Sequence, residues 1–252
     1  MVAFKDNPSF SKSRKKFNVI LLAAGVGSRL RPITDYLPKP LIEVIPGVRV
    51  IDHIIRKYQN IADRIIIATA HKVDLFEYYV QGKYPELKII FSKEREEELK
   101  SPGRSLTLAL DHVSPELPTL ITFCDYLLED QIDVESDCLC LCNPKKGNYV
   151  LDILKSKGVI KNGFVIRMIE NPDLKDRQDG FTGLGVFYNT LLLKKIANDT
   201  AKRKGLDNVD YTFDVVQEYL SKVKTKVQPY SRQYEFGNHE HLKRIREIFE
   251  NV

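Results

Sequence analysis

Short apolar runs alternate with stretches of helical spacing along the first half of this chain. Val19–Ala23, Arg64–Ala68, Leu87–Phe91 and Thr119–Phe123 are runs of four to five mostly aliphatic residues bounded by polar or turn-forming segments. Such continuous runs predict strands buried on both faces, as in a parallel sheet. Between them, Val50–Asn60 places Ile51, Ile54, Ile55 and Tyr58 on one helical face, and Val73–Val80 and Ser105–His112 also read as helices. Strand–helix repetition of this kind predicts an α/β domain with helices on both faces of a mostly parallel, mixed sheet. After position 130 the texture changes. Strands are expected at Cys138–Cys142, Gly163–Met168 and Gly183–Tyr188 without long helices between them, followed by helices over Leu191–Lys204 and Phe213–Val223. No Pro/Gly/Ser-rich linker separates the two parts. The reading is one domain over 17–252, with a nucleotide-side part (17–130) and an acceptor-side part (131–252), behind a basic extension (1–16).

Composition narrows the class. The chain has 252 residues, 43% hydrophobic and 29% charged, as expected of a globular enzyme-sized domain. No run of 18 apolar residues points to a membrane span, and the basic N-terminus lacks the apolar centre of a secretory signal, so a cytoplasmic setting is expected. The net charge of +5 suits an anionic substrate, but the charge is spread along the chain, so no nucleic-acid partner is expected. Cys138, Cys140 and Cys142 alternate with leucines. Period two puts the thiols on one face of a buried strand, and no CxxC pair supplies a zinc site.

The candidate chemistry begins where the first strand ends, in LLAAGVGSRLRPITDYLPKP, Leu21–Pro40. Gly25 and Gly27 let the backbone turn sharply and approach a ligand. Arg29, Arg31 and Lys39 bring positive charge, and Pro38 and Pro40 stiffen the chain around Lys39. An apolar strand, a glycine turn and following cations are the parts of a site that holds phosphates against backbone N–H groups. The dinucleotide fingerprint is excluded because its third glycine is missing, and the P-loop because G-K-[ST] is missing. Asp125 follows the apolar strand Thr119–Phe123, at the end of a strand where open α/β sheets bind ligands.

The twenty-residue segment resembles the signature of the sugar-phosphate nucleotidyltransferases, L-A-A-G-x-G-T-R-L-x-P-x-T-x-x-x-P-K-P, departing only at Ser28, which keeps a hydroxyl. The resemblance implies a Rossmann-like nucleotide-diphospho-sugar transferase fold and a reaction that joins a nucleoside monophosphate to a phosphorylated sugar with release of pyrophosphate. It implies nucleotide contacts from Leu22, Ala23, Ala24, Gly25, Gly27, Ser28 and Arg29, with Lys39 at the phosphates where the bond forms. It implies Mg²⁺ held by Asp125 and by Glu235, the counterpart of an aspartate in a W-x-D-I-G-T-type motif. SPGRSL (Ser101–Leu106) stands where the family has L-G-T-A-G-A, so Gly103 is expected near the base, and Arg104 is an added cation that can pair with phosphate, base carbonyl or a neighbouring acid. On the acceptor side the resemblance implies Gly147, Glu170 and Gly183. The family lysine that binds the sugar phosphate is Asn171 here. Arg167, Lys175 and Arg177 are the candidates to replace it. His239 and His241 read as a solvated helix start.

The expected partners are therefore an NTP and a phosphorylated small molecule, with association into a dimer or tetramer left open. Two alternatives stand beside the sugar-phosphate reading. One is a cytidylyltransferase for phosphocholine or another small phosphate, suggested by the Tyr234–Glu235 pair. The other is a nucleotide-binding regulatory protein with weak catalysis.

Overall fold

The computed structural model describes residues 15–128, 130–142, 156–170, 178–230 and 233–250. In the first part, β1 (Phe17–Leu22) leads through a glycine loop to α1 (Ile33–Tyr36) and the hairpin β2 (Glu43–Ile45) and β3 (Val48–Arg49). Then come α2 (Val50–Tyr58), β4 (Ala62–Thr69), α3 (Val73–Lys83), β5 (Ile89–Lys93), α4 (Pro102–Ala109) and β6 (Thr119–Phe123). The second part holds β7 (Tyr126–Leu128), β8 (Cys138–Cys142), β9 (Ser156–Lys161), β10 (Phe164–Glu170), β11 (Phe181–Phe187) and α5 (Thr190–Lys204). A wide helical turn over Tyr211–Val216 runs into α6 (Gln217–Leu220), followed by β12 (Thr225–Tyr230), β13 (Gln233–Glu235) and α7 (His239–Glu250).

One nine-stranded sheet, ordered β5-β4-β1-β6-β11-β8-β12-β10-β9, runs through both parts. Its strands β5, β4, β1 and β6, all from the first part, are parallel. The antiparallel pairs begin at β11. β1 feeds β4 on one side while β6 lies on its other side, so chain order reverses between β1 and β6. Loops diverge at such a point and leave a crevice beyond the strand ends.

Strand alternation supplies two cores. Phe17, Val19 and Leu21 of β1 face one side of the sheet with α2, and Ile20 and Leu22 face the other with α4 and α5. The three cysteines of β8 share one face and Leu139 and Leu141 take the opposite one; all five side chains are buried. Burial in apolar surroundings raises the Cys140 thiol well above its ordinary pKa, and no metal-ligating cluster of three or more side chains forms among the described residues.

Besides the short hairpin strands β2 and β3, four described strands of the second part escape the hydrophobic pattern. β9 (SKGVIK) and β12 (TKVQPY) are polar at every other position or more, and Pro229 speaks against a central strand on propensity alone. β7 and β13 are three residues each and form a separate two-stranded ribbon.

Candidate active site

The glycine loop leaves β1 at the crevice and is held from below. Gly27 has φ of +69°, and a Cβ there would lie 2.9 Å from Thr34 Cγ2 and 3.4 Å from Lys39 Cβ. A side chain is therefore excluded twice, by backbone conformation and by packing. Thr34 donates its hydroxyl to the Gly27 carbonyl at 3.0 Å. His71, beyond the end of β4, fixes Thr34 in turn. Its Nε2 lies 2.7 Å from the Thr34 carbonyl and its Nδ1 2.6 Å from Glu96 Oε2.

Asp125 sits beside this loop because β6 is parallel to β1, with Phe123 in register with Leu22 and the Cys124 amide bonded to the Leu22 carbonyl at 3.1 Å. Lys39 reaches across so that Nζ lies 3.3 Å from Asp125 Oδ2, with the Phe236 ring centroid 5.2 Å away. Between them lies a cavity of about 390 Å³, bordered by Leu22–Gly25, Gly27–Arg29, Lys39 and Asp125. Every glycine-loop residue expected to contact nucleotide therefore faces one space together with Lys39, whereas Arg31 borders neither it nor the adjoining cavity and pairs with Asp35 at 3.2 Å. Cys124, buried next to Asp125, has its thiol pushed up chiefly by burial and further by that carboxylate.

A second cavity of about 360 Å³ opens on the other side of Asp125 and Arg29, which border both spaces along with Pro102 and Phe123. The ribbon of β7 and β13 brings the distant carboxylate here. Glu235 is in register with Tyr126, and the Phe236 amide bonds the Asp125 carbonyl at 3.3 Å. Around the Gly237 α-carbon, Glu235 Oε1 and Arg29 Nη2 lie 2.9 and 3.2 Å from where a Cβ would stand. The two carboxylates expected to hold Mg²⁺ thus border one cavity, Asp125 from the bend between β6 and β7 and Glu235 from β13. This suits a small hard cation that needs one or two protein carboxylates and takes phosphate oxygens and water for the rest.

Gly183 also borders the second cavity. Its φ is +91°, and a Cβ would be 1.9 Å from Phe123 Cε2. Tyr211 donates its hydroxyl to the Gly183 carbonyl at 3.0 Å. Burial keeps that phenol protonated by raising its pKa far above ordinary, so the tie persists across working pH.

Several expectations are corrected. Arg104 borders neither cavity. Its guanidinium is held by Glu94 (2.9 Å), Glu98 (3.0 Å) and Asp207, so of the three partners open to it the neighbouring acids win. Gly103 faces the polypeptide rather than the nucleotide space, because a Cβ there would strike the Val209 carbonyl oxygen at 2.2 Å. The adjoining Lys100, Ser101, Pro102 and Ser105 border the first cavity instead. Arg167 and Glu170 are exposed on β10 and border neither cavity; a register shift between Val165 and Arg167 breaks the simple alternation that would have aimed them. Gly147, Asn171, Lys175 and Arg177 lie outside the described residues. His239 is exposed as expected, its Nε2 2.7 Å from the Arg31 carbonyl, but His241 is 1% exposed and borders the second cavity. Phe123, Tyr211 and Gln233 also border the second cavity without having been singled out; the first two carried only the aromatic character that core residues share.

Residues 18–135 match the family model described as Nucleotidyl transferase. A "Bifunctional protein GlmU" of Methanococcus maripaludis is 28% identical over 174 residues, covering 68% of this chain and 39% of that protein. The chain thus spans well under half the length of the GlmU relatives it matches. A 2-aminoethylphosphonate cytidylyltransferase of Lancefieldella rimae is 24% identical over 230 residues, 87% of each chain. Among solved structures, a Bacillus anthracis protein assigned as a glucose-1-phosphate thymidylyltransferase superposes with a TM-score of 0.73 at 22% identity, covering 94% of this chain and 96% of that one.

Proposed function

We propose that this chain, a member of the nucleotidyltransferase superfamily, transfers a nucleoside monophosphate from an NTP to a phosphorylated small molecule and releases pyrophosphate. The observation that carries the reading is that Arg29 and Asp125 border both cavities. A nucleotide in the first space and an acceptor in the second would meet at these two side chains.

The chemistry follows from charge. A phosphoryl oxygen of the acceptor attacks the α-phosphorus. A new P–O–P linkage forms, the bond to the bridging oxygen of the β-phosphate breaks, and its electron pair leaves on pyrophosphate. The acceptor is already ionised, so no strong base is required. The task is to hold two anions together and stabilise charge moving onto the leaving group. Arg29 and Lys39 answer to that need, with the glycine-loop amides behind them. Lys39 is 12% exposed and tied to Asp125, so its ammonium is aimed before substrate arrives. Asp125 and Glu235 would hold Mg²⁺, which supplies further neutralisation of phosphate oxygens.

The sugar-phosphate acceptor rests on the signature at Leu21–Pro40. The second reading, CTP with a small non-sugar phosphate or phosphonate, is favoured by the Lancefieldella relative, which aligns over 87% of both chains, and by Asn171 in place of a lysine. A pyrophosphate-release screen decides between them. It sets four NTPs against glucose 1-phosphate, N-acetylglucosamine 1-phosphate, phosphocholine and 2-aminoethylphosphonate, with and without Mg²⁺. Release that requires Mg²⁺ and one acceptor class supports the reading. Nucleotide binding without release across the panel would leave the regulatory alternative standing.

A further inference from the structure

We infer that His241 is the residue that binds the phosphoryl group of the acceptor in the second cavity. This deepens the functional reading above and rests on it. The first ground is placement. His241 is 1% exposed and yet borders the cavity that also holds Glu235, Asp125 and Gly183. Its main-chain amide is bonded to Asn238 Oδ1 at 2.9 Å, which seats the first turn of α7 and fixes the root of the side chain. The helix has its own apolar anchors in Leu242 and Ile245, 2% and 0% exposed. Packing alone therefore does not call for an imidazole at this turn.

The second ground is the charge of the wall. Among the described residues bordering the cavity, the carboxylates are Asp125, Asp210 and Glu235, and the permanent cation is Arg29. Arg29 also borders the nucleotide cavity, where a triphosphate would compete for it. Lys39 borders the first cavity and not the second. An anionic acceptor entering this space needs a donor of its own. The Tyr211 hydroxyl is given to the Gly183 carbonyl, and Arg167 is exposed elsewhere. The other donors among the described residues there are neutral, the hydroxyls of Ser156, Thr182 and Thr212, the Tyr126 hydroxyl shared with Thr122, and the Gln233 amide. His241 adds an N–H donor, and a hydrogen bond from an N–H to an ionised phosphate oxygen is the stronger kind.

The test separates donation from packing. His241→Phe keeps a planar side chain without a donor, and His241→Gln keeps an N–H. In the pyrophosphate assay, with the best acceptor from the screen, His241→Phe should raise the acceptor KM by at least about tenfold, the loss expected for one hydrogen bond to a charged group. The NTP dissociation constant should stay unchanged, and His241→Gln should recover most of the KM. Imidazole NMR of the wild-type protein supplies a readout that needs no folded variant at position 241. With a non-hydrolysable NTP analogue and Mg²⁺ bound, titrating methyl phosphate should move the His241 resonances and leave those of His239 in place. An unchanged acceptor KM in folded His241→Phe, or His241 resonances that ignore methyl phosphate, overturns the inference while pyrophosphate release keeps the functional reading intact. If no NTP binds, the reading falls and the inference falls with it.

Discussion

Gly183→Ala tests whether the wall between the two cavities is built as described. The new methyl would stand 1.9 Å from Phe123 Cε2 and 2.2 Å from Cδ2. Restoring ordinary contact requires the ring to move by roughly 1.5 Å. Phe123 packs edge-on against Tyr211, ring centroids 6.1 Å apart, and Tyr211 in turn holds the Gly183 carbonyl. The ring therefore cannot shift without disturbing its neighbour. Left-handed backbone at φ +91° adds strain for alanine of about 1–2 kcal/mol, and overpacking adds about 1–3 kcal/mol. A central sum of about 3.5 kcal/mol lowers the thermal midpoint by roughly 7–14 °C in a chain of this size. Gly163→Ala is the matched control. Its φ is +79°, with nothing within 4 Å of the added Cβ, so it carries the backbone strain alone, about 1–2 kcal/mol. Urea titration of both variants isolates the packing contribution as their difference. Because Phe123 borders both cavities, Gly183→Ala should also lose turnover at 25 °C, where it remains folded, and Gly163→Ala should not. Equal destabilisation of the two variants would refute the packing argument.

Other substitutions separate structure from chemistry. Asp125→Asn removes an ion pair whose carboxylate is 36% exposed, so stability should change by only about 0–1 kcal/mol. Mg²⁺-dependent pyrophosphate release should fall at least about a hundredfold, and wild-type turnover in that variant would take Asp125 out of the mechanism. Arg104→Met strands Glu94, whose side chain is 0% exposed. Removing one partner of a buried pair should cost roughly 3–5 kcal/mol in urea unfolding, and a change below about 1 kcal/mol would show that the network is not structural. The His53 imidazole is held down to about 4 by burial and by Lys57. Between that value and the unfolded 6.5 the unfolded chain binds the extra proton. The contribution is therefore fully present above pH 6.5, declines as pH falls toward 4, and is worth up to about 3 kcal/mol. His53→Gln should flatten that part of the stability–pH curve, and identical slopes in both proteins would contradict it.

β1, β4, β5 and β6 were legible because each carries a run of mostly apolar residues, and Thr119–Phe123 and Cys138–Cys142 match their expected limits; the short hairpin strands β2 and β3 were not read. β9, β12 and β13 were not, because a mixed sheet edge and a three-residue ribbon leave no apolar run to read. The glycine loop, Lys39, Asp125 and Glu235 were legible from motif chemistry, and the structure gathers them around adjoining cavities. Arg104 and Gly103 misled because cations and glycines serve packing as readily as ligands. Arg104 meets Glu94 and Glu98 from nearby in the chain and Asp207 from far along it, and Gly103 lies against Val209; the last two contacts are set by a fold that brings distant positions together. His241 was hidden for the same reason, since burial of a helix-start histidine depends on what the remote elements place over it.

A crystal of the protein grown with a non-hydrolysable NTP analogue and Mg²⁺ tests the central claim most directly. The triphosphate should lie along the Gly25–Arg29 loop, within reach of Lys39, with the α-phosphate turned toward Asp125 and the second cavity. A triphosphate bound away from Arg29 and Lys39, or an α-phosphate closed off from that cavity, would contradict it.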